Sequence, residues 1–84
     1  MVIWDPQKNK KLKRERGVSF EEVETIILAR DFLATEKNPT RLDQRIFIVR
    51  LYGYVHVVPY VRDEKRNIIL KTIYPSRKFH KLYS

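Results

Sequence analysis

The last third of the chain gathers side chains that hold anions and stack on flat rings. The closing stretch IYPSRKFHKLYS alternates basic and aromatic groups: Arg77, Lys78, Phe79, His80, Lys81 and Tyr83. Upstream, three strand-like runs alternate so that Arg45, Phe47, Tyr54, His56, Tyr60, Arg62 and Lys71 share one face. Cations interleaved with aromatics suit phosphates and unstacked bases. The same residues equally well enclose a satellite core under the C-terminal segment. His56 and His80 are the only two histidines, the residue type best suited to moving protons near neutral pH.

The charge distribution points the same way. Residues 1–20 carry six basic and two acidic side chains, residues 21–43 three and six, and residues 44–84 nine and two. Both ends are basic around an acidic middle, within a net charge of +8. An anionic partner is expected at the ends, with nucleic acid leading and simple solubility the plainer reading. There is no cysteine, so disulfides and thiolate metal sites are excluded and a reducing, cytoplasmic setting fits. No Gly-rich phosphate loop, nucleophile elbow or metal-ligand spacing occurs, and no cofactor is expected. No apolar run reaches membrane-span length. With 84 residues, 43% of them hydrophobic, the chain is expected to form one domain, 1–84.

The elements that must position these groups follow from local signals. Val2-Ile3-Trp4 reads as a short strand, with Trp4 a core anchor. Asp5 caps a helix with Pro6 in its first turn, running to about Glu15 and ending near Gly17. That helix is polar and basic, with Leu12 its main apolar anchor. Ser19 and Glu22 form a capping box for a second helix carrying Phe20, Val23, Ile26, Ile27 and Leu33 on its buried side. Residues 35–43 read as a loop. QRIFIVRL and YVHVVPYVR flank a Tyr52-Gly53 hairpin turn, and NIILKTIY follows a turn at 63–66. The expected fold is α+β: a short N-terminal strand, two helices, a three-stranded antiparallel meander, and a short C-terminal helix or tail.

A two-residue turn pairs Leu51 with Tyr54, Val49 with His56, Phe47 with Val58 and Arg45 with Tyr60. The opposite face holds Ile46, Ile48, Val55 and Val57. A four-residue turn at 63–66 adds Ile68, Leu70, Thr72 and Tyr74 to that aliphatic face, which is expected to pack on the second helix. It adds Lys71 and Ile73 to the mixed face. Pro59 lacks an N–H for the ladder, so an irregularity is expected beside it.

WDPQKNKKLKRERGVSFEE resembles the opening of the BrnT-type toxins of bacterial type II toxin–antitoxin systems. That family begins W-D-x-x-K, then a basic helix, a Gly and a Phe-containing second helix; Trp4, Asp5, Lys8, Gly17 and Phe20 stand at those places. IYPSRK resembles the family's I-S-A-R strand end, with Arg77 at the arginine. The resemblance spans nearly the whole chain. Arg16 stands where the family often has His, Leu12 where it often has Asn, and Pro75 where Ser is usual. Lys71 or Thr72 stands near the place of a last-strand arginine. The resemblance implies a RelE-like fold, metal-independent endoribonuclease activity, and a cognate DNA-binding antitoxin as partner.

Metal-free RNA cleavage needs a base for the 2′-OH, cations on the phosphoryl oxygens and an acid for the leaving 5′-oxygen. Arg77, with Lys71 and Arg62, is the expected phosphate clamp. Lys8 supplies a proton or a charge, or is a solvated helix lysine. Glu22 is a base, or simply half of the capping box. His80 and His56 are further options as acid and base. Lys10, Lys11, Arg14, Arg45, His56, Tyr60 and Lys78 are the expected RNA-contacting set. The central expectation is that Lys8 and Arg77 converge on one phosphate. Two other readings use the same surface without catalysis: a basic RNA- or DNA-binding module, and a partner-docking domain.

Overall fold

The computed structural model describes all 84 residues. Its elements run β1 (Val2–Ile3), α1 (Pro6–Arg16), α2 (Phe20–Leu28), β2 (Ala34–Lys37), β3 (Arg45–Leu51), β4 (Tyr54–Arg62), β5 (Ile68–Leu70), β6 (Tyr74–Pro75) and α3 (Arg77–Tyr83). The six-stranded sheet has the order β1-β5-β4-β3-β2, with β6 also paired to β4. Only β1 runs parallel to its neighbour. The α+β architecture is the one expected. The C-terminal segment resolves as a helix, capped by Ser76 through the N–H of Phe79.

The helix ends obey their local chemistry. Asp5 Oδ1 accepts from Gln7 N at 2.9 Å, and Gly17 closes α1 in the left-handed region at φ 67°. Both halves of the Ser19–Glu22 capping box are present. Between the helices lies buried Asn9, which the amphipathic pattern does not reveal. Its Oδ1 accepts from Phe20 N and its Nδ2 donates to Glu21, both at 2.8 Å. A side chain inside α1 thereby satisfies a backbone N–H that α2 leaves orphaned at its start.

The β3–β4 hairpin has the expected register throughout, Leu51↔Tyr54 to Arg45↔Tyr60. Tyr52 and Gly53 both have positive φ, 53° and 77°, as a right-twisted two-residue turn requires.

The packing of the two faces is the reverse of expectation. Helices α1 and α2 cover Phe47, Val49, Leu51, Val58 and Tyr60, the mixed face. The aliphatic face of Ile46, Ile48, Val55 and Val57 is covered by α3 through Phe79 and Tyr83. Leu33, expected beside Phe20, lies beyond α2 and joins this second cluster. The physical reason is segregation along the strands. The middle of the mixed face is apolar and fits under helices, while Arg45 and Arg62 fall outside their footprint. With both faces covered, every β4 residue from Val55 to Tyr60 is buried.

The next turn is one residue longer than expected. Arg62 pairs with Ile68 and Tyr60 with Leu70. Asp63 holds the turn by accepting from the N–H groups of Lys65 and Asn67, each at 2.9 Å, and Arg66 takes φ 65°. Leu70 therefore belongs to the helix-covered face, not the aliphatic one. Lys71 is exposed and is not set beside Val58.

The register slips by one further residue before β6, where His56 pairs with Pro75; the second slip restores the expected facing, and Ile73 is fully buried under the helices. The irregularity expected near Pro59 thus falls in the partner strand, between Leu70 and Tyr74. Pro59 O accepts from Lys71 N at 2.9 Å, and its missing N–H faces the same side. β4 itself stays regular, so Tyr60 and Arg62 keep their face. Residues 34–37, most of them read as loop, form the edge strand β2; the run Ala-Thr-Glu-Lys is too short and polar to signal a strand alone.

Candidate functional site

At the hairpin end of β4, Tyr54 stands between His56 of its own strand and His80 of α3, and Arg77 opens α3 just after the β6 segment that pairs with His56. β4 supplies Tyr54 and His56, and β6 pairs with β4 at His56 before leading into α3. Arg77 and His80 stand three residues apart on α3 and so project from the same side. The Tyr54 ring lies parallel to His80, centroids 4.0 Å apart at 11°, and edge-on to His56 at 6.1 Å.

The two histidines are held in opposite tautomers. His56 Nδ1 lies 2.9 Å from the carbonyl of Tyr54, which can only accept, so Nδ1 carries the proton. Its Nε2 then offers a lone pair. This nitrogen has no hydrogen-bond partner within the protein, and the residue is 8% exposed. His80 Nδ1 accepts from Val55 N at 3.2 Å, which leaves its proton on Nε2. One ring presents a base, the other a neutral donor. Arg77 is exposed and forms no ion pair; the two ion pairs of the molecule are Lys13–Glu21 and Arg14–Glu15.

Other expected site residues stand elsewhere. Lys8 is half-buried in the first turn of α1 and has no hydrogen bond or ion pair with Arg77 or either histidine. Helices α1 and α3 pack on opposite faces of the sheet. The two helices thus approach the sheet from opposite sides, and no contact carries the expected convergence of Lys8 and Arg77. The α1 residue that reaches the segment between β5 and β6 is Arg16, whose Nη1 donates to Ile73 O at 2.5 Å, about 12 Å along the helix axis from Lys8. Glu22 accepts from Ser19 N at 2.9 Å through Oε1 and from the Tyr52 hydroxyl through Oε2. That carboxylate raises the Tyr52 hydroxyl above its ordinary pKa. Lys10, Lys11 and Arg14 are exposed on α1. Lys78 lies 5.5 Å over the Phe79 ring.

Arg45, Tyr60 and Arg62 occupy the far end of the hairpin, with Arg62 about 20 Å along β4 from His56. There they border a cleft of about 440 Å³ with Ile27, Arg30, Phe32 and Thr35. Phe47 and Tyr60 stack beneath it at 4.2 Å. Arg30 was not expected here; its one signal is its position as the first cation after the acidic helix α2. Its φ of 57° turns the chain out of that helix.

No protein-family model matches the sequence, and no curated protein does. Among solved structures, the chain is similar to the 1.1 Å crystal structure of the Brucella abortus ribonuclease toxin, BrnT. The TM-score is 0.66 at 18% identity, over 89% of this chain and 94% of that one. At this identity the likeness is one of fold. No helix is long and apolar enough to cross a membrane. No group of three or more His, Cys, Asp or Glu side chains is placed to hold a metal ion.

Proposed function

We propose that the chain is an endoribonuclease toxin that cuts RNA without a metal at the His56–Tyr54–His80 end of β4. It would act in the cytoplasm and be restrained by a cognate antitoxin. The observation that carries this reading is the pair of histidines in opposite tautomers flanking Tyr54, with an unpaired Arg77 three residues before His80 on α3. The fold shared with a ribonuclease toxin and the basic chain ends support it.

In this reading His56 Nε2 takes the proton of a 2′-OH, and the 2′-oxygen attacks the adjacent phosphorus. The P–O5′ bond breaks, leaving a 2′,3′-cyclic phosphate. The 5′-oxygen takes a proton from water, and His56 returns its own to solvent. Arg77 pairs with the non-bridging oxygens as charge develops, and His80 donates Nε2–H to the same group. The Val55 N–H on Nδ1 suits His80 to donating a hydrogen bond rather than giving up a proton. Tyr54 offers the flat partner for a base next to the cut. Lys10, Lys11, Arg14 and Lys78 meet outlying phosphates. Lys8, Glu22, Arg62 and Lys71 have no part in the cut itself.

Purified protein is expected to cut single-stranded RNA in the presence of chelator. Arg77→Ala and His56→Gln are each expected to slow cleavage by roughly 100-fold or more. Salt-sensitive RNA binding with no cleavage would instead identify a binding module. Full activity in both variants would place the reaction elsewhere.

A further inference from the structure

The Arg30–Arg45–Arg62 cleft lies at the end of β4 remote from the histidines and has no role in the chemistry above. Its rim carries three guanidinium groups without a single ion pair. Lys37 on β2 stands directly opposite Arg45 on β3, so like charges face each other across the ladder. Such a pair is unfavourable unless an anion lies between or beside its members. Arg45 is held in place, with Nη2 donating to Thr35 Oγ1 at 3.2 Å. The floor between the cations is apolar: Ile27, Phe32 and Ile68.

We infer that this cleft docks an extended acidic peptide segment of a partner protein, with carboxylates on the arginines and an apolar side chain on the floor. Guanidinium forks pair bidentately with carboxylates, and the floor has room for an aliphatic anchor. β2 is the last strand on that side of the sheet, so an extended segment has an open edge to lie along. RNA is the weaker fit. Phe47 and Tyr60 are each only 3% exposed and stack on one another, and the half-buried Phe32 ring packs against Phe47 at 5.2 Å, so no ring stands out as a platform for a base. Helices α1 and α2 cover the sheet face between this cleft and His56, so a strand seated at the histidines has no path along that face.

The experiment measures binding of a labelled peptide of alternating Glu and Leu, and of a single-stranded oligodeoxyuridine that cannot be cut. Wild type, Arg45→Gln, Arg62→Gln and Lys81→Gln are compared; Lys81 is exposed on α3 and controls for net charge. Each cleft variant is expected to weaken peptide binding about ten-fold, and Lys81→Gln by less than about two-fold. Absent or unsaturable peptide binding overturns the inference. So does an equal loss with Lys81→Gln. Loss confined to the oligodeoxyuridine would make the cleft a nucleic-acid subsite. The assay involves no RNA cleavage, so its result is independent of the reaction assigned to His56.

Discussion

The two ends of β4 carry the same kinds of residue, cations beside aromatics, yet they are built differently. At the hairpin end the polar rings are pinned: His56 by a carbonyl, His80 by a backbone N–H, and Tyr54 by stacking against α3. At the other end Phe47 and Tyr60 are buried and the cations stand free, with Thr35 the one side-chain partner of Arg45. Fixed tautomers and orientations suit proton transfer. Long unpaired cations around an apolar floor suit capture of a negatively charged ligand. The same alternation of types thus serves two chemistries, and what separates them is which side chains the neighbouring helices cover.

Changes on the structure can sharpen that contrast or erase it. Phe79→Ala should have the largest effect on stability, about 3–5 kcal/mol in urea unfolding, because Phe79 anchors α3 over the aliphatic face. The same change should free His80 from Tyr54, seen as loss of ring-current shifts in its imidazole NMR signals. A cost below about 1 kcal/mol would mean that α3 is not the lid that holds the histidine end.

Asn9→Ala should come next, about 1–3 kcal/mol, since it leaves the buried N–H of Phe20 without an acceptor. It also carries a pH signature. Glu21 is held below its ordinary pKa, first by its hydrogen bond from Asn9. A lowered folded value means that this contribution is present above the ordinary carboxylate pKa and is lost as pH falls through the folded value. In the variant the Glu21 titration, followed by carboxyl NMR, should move up toward the ordinary value.

Tyr54→Leu keeps bulk but removes the stack, and should cost about 1 kcal/mol while broadening the His80 signals. Thr35→Val should be smallest, below about 1 kcal/mol, because it removes one exposed hydrogen bond to Arg45. If thermal unfolding shows Thr35→Val costing more than Tyr54→Leu, the pinned and free ends have been assigned the wrong way round.

Much of this was legible in the chain. The caps at Asp5, Ser19 and Gly17 act within a few residues of themselves, so local chemistry decides them. The Tyr52-Gly53 turn determines its own register, and with it the opposition of His56 to Val49 and of Arg45 to Tyr60. The turn after Arg62 is one residue longer than its charges suggest because Asn67 joins it by bonding back to Asp63, a choice that charge alone does not reveal. That single residue moved Leu70 under the helices and left Lys71 away from Val58. The places of Arg16 and Arg30 carry no local signal, because Arg16 bonds to the distant Ile73 carbonyl and Arg30 borders a cleft with residues of β3 and β4.

From its sequence alone this protein has its helices, its central hairpin, its basic ends and its two sheet faces, since those depend on propensity, alternation and nearby hydrogen bonds. Only the tertiary structure decided which helix covers which face, and hence that Tyr54 stands between the two histidines while Arg45 and Arg62 border one cleft with Arg30. Both faces of the hairpin are apolar enough to be buried, so periodicity has no preference between them. The choice falls to the fit of whole helices against the sheet, a property of distant residues acting together.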